Sequence, residues 1–267
     1  MERIGLIAGN RKFPLLFSEA AKKKGATIIA VAIKRDTSPL LEKLVDKMYW
    51  LGLDEFSRLF EIFKREGITK VVMAGQISPH RLFGKEIQKD KELKSLLEGI
   101  KDKRADTIFG KIAERLKDSG IELLDSTLFI KEYLPPKGTL TSVEPDALLW
   151  EDITFGFDLA KAVGMLDIGQ TVAVKDKAIV AVEAFEGTDN LIRRAGRLAR
   201  GGITVVKVSK PKQDMRFDIP VVGLNTVRSL IKAKGKCLAI EAGKTLFIDQ
   251  QESVTFAEKR GVCIVAV

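Results

Sequence analysis

Residues 3 to 33, "RIGLIAGNRKFPLLFSEAAKKKGATIIAVAI", decide the fold of the first half of the chain. Two runs that are apolar throughout, "RIGLIAG" and "ATIIAVAI", flank a stretch whose apolar residues recur at helical spacing and which stops at Gly25. Continuous rather than alternating apolar character suits parallel strands covered on both faces. The unit is therefore read as βαβ. The pattern continues outward: "DEFSRLFEIFKREG" (54–67) as a helix, "ITKVVMAG" (68–75) as a third strand, "ADTIFGKIAERLKDSG" (105–120) as a helix and "IELLDS" (121–126) after it. Residues 1–133 are thus expected to form a Rossmann-like domain around a parallel sheet.

A different composition follows. "YLPPKGTLTSVEPDALLW" (133–150) holds Pro135, Pro136, Gly138 and Pro145, the densest breaker cluster in the chain. Residues 134–150 are read as an interdomain linker. Beyond it, "EDITFGFDLAKAVG" (151–164) is read as a helix opening a domain over 151–267. "TVAVKDKAIVAVEA" (171–184) reads as two strands about a Lys-Asp-Lys turn. "CLAIEAGKTLFID" (237–249) reads as another pair turning at Ala242-Gly243. Helices "NLIRRAGRLARG" (190–201) and "NTVRSLIKAKG" (225–235) and the strand "ITVVKVSK" (203–210) lie between. Hairpins mixed with crossover helices predict a mixed α+β domain, so the fold class is α/β followed by α+β, in two domains.

Composition narrows the function classes. The 267 residues are 45% hydrophobic, 30% charged and 7% aromatic, as in an ordinary globular protein. A formal net charge of +9 attracts anions in general. The basic residues are interspersed with acids, and no zinc-finger, RRM or KH signature is present, so nucleic acid is not the expected partner. The single histidine, His80, and the absence of a CxxC pair argue against a zinc centre. Any metal is expected to be a hard cation on oxygen ligands. Cys237 and Cys263 sit in apolar runs and read as buried free thiols. No apolar stretch suits a signal peptide or a membrane span, so a cytoplasmic location is expected.

Chemistry-bearing residues gather in three places. The first strand ends in Gly9-Asn10 and the third in Gly75-Gln76, both at the edge of a parallel sheet where nucleotide folds bring backbone up to a ligand. The full GxGxxG is missing, so plain turn glycines are an equal reading. In "VEAFEGTDNLIRRAG" (182–196) a strand gives way to a helix, either as a turn capped by Thr188 or Asp189 or as a polar wall facing an anion. Gly187 and Arg194 belong to the same stretch, and Gln170 stands at a turn before the preceding hairpin. The third place, "PKQDMRFDIP" (211–220), supplies Lys212, Asp214, Arg216 and Asp218. Pro220 biases Ile219 toward extended geometry, in which residues two apart share a face. Asp214, Arg216 and Asp218 are then expected to project together. That mixture suits phosphoryl chemistry, and it equally describes a surface ion-pair ladder.

Taken together, "LDIGQTVAVKDKAIVAVEAFEGTDNLIRRAG" (166–196), "KPKQDMRFDIPVVGLNTV" (210–227), "IGLIAGN" (4–10), "VVMAGQIS" (71–78) and "IEAGKTLFID" (240–249) resemble the LpxI family of UDP-2,3-diacylglucosamine pyrophosphatases of lipid A biosynthesis. The resemblance runs over essentially the whole chain. It implies a Mg²⁺- or Mn²⁺-dependent hydrolase that yields UMP and 2,3-diacylglucosamine 1-phosphate (lipid X). It also implies a homodimer, with transient peripheral contact at the inner face of the cytoplasmic membrane left open. The family's essential aspartate falls on Asp218 and a neighbouring acidic position on Asp214, implying catalytic and metal-holding roles for both. Where the family carries paired aspartates, "RADTIF" keeps only Asp106. Two other readings compete: a Rossmann-like sugar-nucleotide or dinucleotide enzyme of another reaction class, and a non-enzymatic basic binding module.

Overall fold

A computed structural model describes residues 2–77, 81, 86, 89–100 and 105–267. The chain divides into two compact units. The first comprises Met1–Lys131 together with Asp214–Asp218, and the second comprises Glu132–Gln213 and Ile219–Val267.

The first unit is built on β1 (Arg3–Ala8), β2 (Thr27–Ile33), β3 (Lys47–Leu51), β4 (Lys70–Ala74) and β5 (Glu122–Leu123). They form one sheet in the order β3-β2-β1-β4-β5, with every pair parallel. This is the order of doubly wound nucleotide-binding sheets. The helices are α1 (Phe13–Lys23), α2 (Arg58–Arg65), α3 (Lys91–Glu98) and α4 (Ala105–Asp118). Pro14 sits in the first turn of α1, where its missing N–H is no loss. Asp90 ties two helix starts together. Its Oδ1 accepts from Leu93 N at 2.9 Å, and its Oδ2 accepts from Ser57 N and Oγ, each at 2.9 Å. A core of Val31, Phe63, Val71, Ile112 and Leu116 fills one face of the sheet. Strand β3 was not expected from the sequence. "KMYWL" is partly exposed and lacks the continuous apolar run that marks its neighbours.

In the second unit β6 (Gly138–Thr139), β7 (Thr171–Lys175), β8 (Ala178–Val182), β9 (Thr204–Lys207), β11 (Cys237–Ile240) and β13 (Cys263–Ala266) make a mixed sheet in the order β6-β13-β11-β9-β7-β8. Strands β9, β11 and β13 are parallel, while β6, β7 and β8 run antiparallel to the strands they join. A separate parallel pair is formed by β10 (Val221–Val222) and β12 (Leu246–Phe247). One face of the large sheet packs on α6 (Thr188–Ala199), α7 (Leu224–Lys232) and α8 (Gln250–Glu258) through Leu191, Ile192, Val227, Leu230 and Ala257. The other face packs on α5 (Ala147–Met165) through Ile153 and Ala160.

The expected hairpin over 171–184 is present, and its turn residues Asp176 and Lys177 have φ of 51° and 57°. Two positive φ values match the right-handed twist of a tight hairpin. Buried Asp152 supports the turn by accepting from Lys177 N at 2.7 Å. The second expected hairpin, over 237–249, is absent. β11 is buried throughout and takes β9 and β13 as neighbours, while β12 pairs with β10. Much of the breaker-rich segment is built into the second unit. Leu140 N donates to Ile264 O at 2.8 Å beside β6, and Asp146 caps α5 by accepting from Leu149 N at 2.8 Å. The helix therefore starts at Ala147, ahead of the expected residue 151.

Two helical glycines make opposite demands. A Cβ on Gly156 would lie 2.7 Å from Val206 Cγ2 and 2.9 Å from Val174 Cγ2, whereas a Cβ on Gly110 meets nothing within 4 Å. Val is stiff at χ1, so the first contact cannot be relieved cheaply. Gly110→Ala is expected to stabilise the first unit by about 0.5–1 kcal/mol through helix propensity. Gly156→Ala is expected to destabilise the second by about 1–3 kcal/mol through overpacking. Urea unfolding midpoints of the two variants check the opposite signs.

Candidate functional site

In the first unit β1 and β4 are neighbours, so their carboxyl ends bring Gly9-Asn10 and Gly75-Gln76 together. Gly9 N donates to Ala74 O and Asn10 N donates to Gln76 O, both at 2.8 Å. The turns interlock backbone to backbone. A Cβ on Gly9 would stand 2.7 Å from Gln76 N and O, and one on Gly75, where φ is +84°, would stand 2.5 Å from Asn10 O. Neither position admits a side chain.

Asp214–Asp218 lies against the same end of this sheet. Ser126 Oγ is 2.7 Å from Met73 O on β4 and 2.6 Å from Arg216 O, and Ser126 N donates to Met215 O at 3.1 Å. The Phe217 ring packs on Phe109 of α4 with centroids 5.9 Å apart. These anchors overturn the expectation of an extended segment. Phe217 N and Asp218 N both donate to Asp214 O, at 3.2 and 2.9 Å, so the residues close a turn. The bias from Pro220 reaches only Ile219. Asp214 and Arg216 form a fork: Arg216 Nε donates at 2.9 Å to Oδ1 and Nη2 at 2.7 Å to Oδ2. The Arg216 hydrogen bonds hold the Asp214 carboxyl below its ordinary range, against an opposing push from burial. The guanidinium thus serves Asp214 rather than standing between two carboxylates. Asp106 lies in the first turn of α4, and its side chain is outside the described residues, as is His80.

The second unit gathers its own polar row. Glu183 N donates to Thr171 O at 2.8 Å, and Thr171 stands opposite Lys207 in the β7/β9 ladder. Gly169 makes this closure possible, because a Cβ there would lie 2.1 Å from Glu183 O. Helix α6 begins at the end of the row. Gly187, with φ 80°, occupies its N-cap, so neither Thr188 nor Asp189 is the cap. Thr188 Oγ1 instead donates to Glu183 Oε1 at 2.8 Å and accepts from Lys207 Nζ at 2.7 Å. Arg194 Nη2 donates to Val182 O at 2.9 Å and to Glu186 Oε1 at 2.5 Å. Buried atoms left without hydrogen-bond partners cluster in these segments: Gln170 Oε1, Thr171 Oγ1, Glu183 Oε2, Asp189 Oδ1 and Arg194 Nε. Native interiors rarely leave such atoms unpaired, and their concentration makes this row a candidate ligand site. Lys212 is exposed in a turn.

Sequence reasoning missed Lys207 and gave Glu183 no role of its own. A signal was available, since each is a single charge closing an apolar strand, in "ITVVK" and "AIVAVE". A third such charge is Glu241, after "CLAI". Its Oε2 accepts from Lys161 Nζ at 2.5 Å, Ser209 N at 2.7 Å and Ser209 Oγ at 2.9 Å. Burial pushes the Glu241 carboxyl up, but Lys161 and the Ser209 amide outweigh it and hold the group below its ordinary 4.5.

Among the described residues, no three His, Cys, Asp or Glu side chains converge as a metal cage. Mg²⁺ does not require one, since it is commonly held by one or two carboxylates with substrate phosphates and water completing the shell. The turn at Asp214–Asp218 carries two carboxylates of that type, and both Asp214 oxygens also accept from Arg216. Among the described residues, no helix is long and apolar enough to cross a membrane.

A parallel sheet with glycine turns at its carboxyl edge, followed by a mixed sheet with an unsatisfied polar row, defines a two-unit α/β protein. Models of the LpxI N-terminal domain and the LpxI C-terminal domain match residues 3–133 and 136–265. The chain belongs to the LpxI family. It is 27% identical over 277 residues to the UDP-2,3-diacylglucosamine pyrophosphatase LpxI of Caulobacter vibrioides, covering 100% of this chain and 98% of that one. Solved structures are more distant. A leucoanthocyanidin reductase–NADPH complex from Vitis vinifera is 17% identical, with a TM-score of 0.27 over 44% of this chain and 47% of that one. N5-carboxyaminoimidazole ribonucleotide synthetase from Thermotoga maritima is 16% identical, with a TM-score of 0.25 over 71% and 43%. The matched part is less than half of either protein.

The Glu241 network yields a pH prediction. A carboxyl whose folded pKa is depressed adds stability that is complete above its unfolded value and lost as pH falls through the folded one. Thermal unfolding of the wild-type protein should lose stability as pH drops below ~4.5. Glu241→Gln should be less stable at neutral pH and show a flatter acid limb. An unchanged acid limb in the variant would remove this carboxyl from the account.

Proposed function

We propose that this protein is a UDP-2,3-diacylglucosamine pyrophosphatase that hydrolyses its substrate to UMP and 2,3-diacylglucosamine 1-phosphate in lipid A biosynthesis. The observation that carries this reading is the match of both LpxI domains in order along the chain, with a relative of that name aligned from end to end. The geometry supports it in three ways. The Gly9-Asn10 and Gly75-Gln76 turns interlock at the carboxyl edge of a parallel sheet, the edge at which such folds hold nucleotides. The unsatisfied polar row in the second unit suits a phosphate ester with its hydroxyls. Exposed Met165, Leu166, Ile168 and Phe185 stand on the segments that carry Gln170 and Thr188, which suits an acylated ligand.

In this reading Asp218 orients the attacking water or holds a divalent ion, and the fork with Arg216 fixes Asp214 beside it. Within the second unit, Lys212 and Arg194 supply cations of the kind that offset charge on phosphoryl oxygens. Mg²⁺ or Mn²⁺, when bound at the acidic turn, would polarise those oxygens. The reading carries with it a homodimer working in the cytoplasm, with peripheral contact at the inner membrane surface where its lipid substrate resides.

Release of UMP from UDP-2,3-diacylglucosamine, followed beside UDP-N-acetylglucosamine as a non-acylated control, tests the reaction. Turnover is expected only on the acylated substrate, should cease in EDTA and should return with Mg²⁺ or Mn²⁺. Asp218→Asn should lower kcat by ~10²–10⁴-fold with a much smaller change in KM. Full activity in excess chelator would remove the metal from the reading, and near-normal kcat in Asp218→Asn would remove Asp218.

A further inference from the structure

Strand register lays Glu183, Thr171 and Lys207 side by side on three neighbouring strands. Thr171 pairs with Lys207 in the ladder, and the Glu183 amide bonds to the Thr171 carbonyl. Residues so opposed point to one face of a sheet. Alternation places this row on the face of Ala173, Ala181 and Val205, under α6. The row stands at the carboxyl end of β9, and α6 starts beside it with the positive end of its dipole.

Lys207 and Glu183 are only 6% and 8% exposed. The Thr188 hydroxyl stands between them, 2.7 Å from Lys207 Nζ and 2.8 Å from Glu183 Oε1. Its polarity is forced: an ammonium can only donate and a carboxylate can only accept, so the hydroxyl takes one hydrogen bond and gives the other. This holds the ammonium in place without neutralising it by direct contact. Two capacities remain. Glu183 Oε2 is buried and accepts nothing, and an ammonium carries three donors, of which Thr188 takes one.

The Lys161–Glu241 pair shows what a purely structural arrangement looks like here. There the ammonium meets the carboxylate directly at 2.5 Å, and Ser209 and Lys244 occupy the remaining oxygen valences. A buried charge with its partner held one hydroxyl away is costly unless a ligand completes it. We infer that Lys207 contacts a phosphate oxygen of the bound ligand, with Thr188 and Glu183 as the residues that position its ammonium. Glu183 Oε2 then receives a hydroxyl or hydrated cation that arrives with the phosphate. This rests on the reading of the ligand as a diphosphate ester and adds to it the cation that holds that ester in the second unit.

The test pairs a binding measurement with turnover on the full-length protein. Inorganic pyrophosphate with Mg²⁺ serves as the calorimetric probe, and UMP release from UDP-2,3-diacylglucosamine reports catalysis. Lys207→Met is expected to weaken pyrophosphate binding by ~10-fold or more and to lower kcat/KM by ~10²–10³-fold. Thr188→Val keeps both charges and nearly the same shape but breaks the relay. It should lower kcat ~10-fold with little change in KM, and Thr188→Ser should restore it. A merely structural hydroxyl would shift Tm in Thr188→Val without this split or this rescue. The inference is overturned if folded Lys207→Met binds pyrophosphate and turns over as the wild type does. If Lys207→Met does not fold, wild-type kcat and pyrophosphate affinity in Thr188→Val overturn it equally, and so does a wild-type protein that binds no pyrophosphate. Absence of UMP release by the wild type would sink the functional reading instead, while the pyrophosphate titration would still decide the site.

Discussion

Backbone meeting backbone at glycine is the constraint on which the polar edges of both units depend. At Gly169 the chain passes so close to the Glu183 carbonyl that any Cβ would stand 2.1 Å from it. That contact lets the turn before β7 close on the end of β8, and the closure aligns Glu183, Thr171 and Lys207. The first unit repeats the device with Gly9 and Gly75, each pressed against the other's turn. Side chains at these points would push the turns apart, and the residues carried by the turns would lose their register. Glycine is retained here for space, and at Gly75 also for a positive φ that other residues adopt at a cost.

The polar edges gain rigidity from the apolar layers beneath them. In the second unit the sheet is buried on both faces, with Ile192, Val205, Leu238 and Ile264 on one side and Ile153, Val206, Ala239 and Val265 on the other, each 0% or 1% exposed. Packed interiors of this kind have low compressibility, so charges at the strand ends are held by the strands rather than by flexible loops. Three single charges close three apolar strands, and two outcomes result. Glu241 is fully engaged by Lys161 and Ser209, whereas Glu183 and Lys207 keep unused valences. The difference lies in whether the partner is a charge or a hydroxyl.

Much of this architecture was legible in the sequence because it obeys local rules. Continuous apolar runs between helical segments announced β1, β2 and β4, and the Lys-Asp-Lys turn announced the β7/β8 hairpin. Paired Gly-Asn and Gly-Gln strand ends pointed to the edge where those turns now interlock. What escaped depends on distant partners. Strands β6 and β10 have two residues each and exist only through their neighbours. The turn at Asp214–Asp218 is set by Ser126 and Phe109, about ninety or more positions away along the chain, so local reasoning from Pro220 gave it the wrong shape. Lys207 and Glu183 acquire meaning only through cross-strand register, which a linear pattern does not encode.

The assignment of Asp214–Asp218 to the first unit has a topological consequence. The polypeptide changes unit three times, after Lys131, Gln213 and Asp218, although the family boundary lies near residues 133–136. A gene divided at that boundary would yield an amino-terminal piece whose Ser126 has lost the carbonyls of Met215 and Arg216 and whose Phe109 has lost Phe217. The other piece would carry that five-residue turn with nothing to fold against. The two units are thus threaded by the same chain rather than strung along it, and neither family domain taken alone contains all the residues of the unit it names.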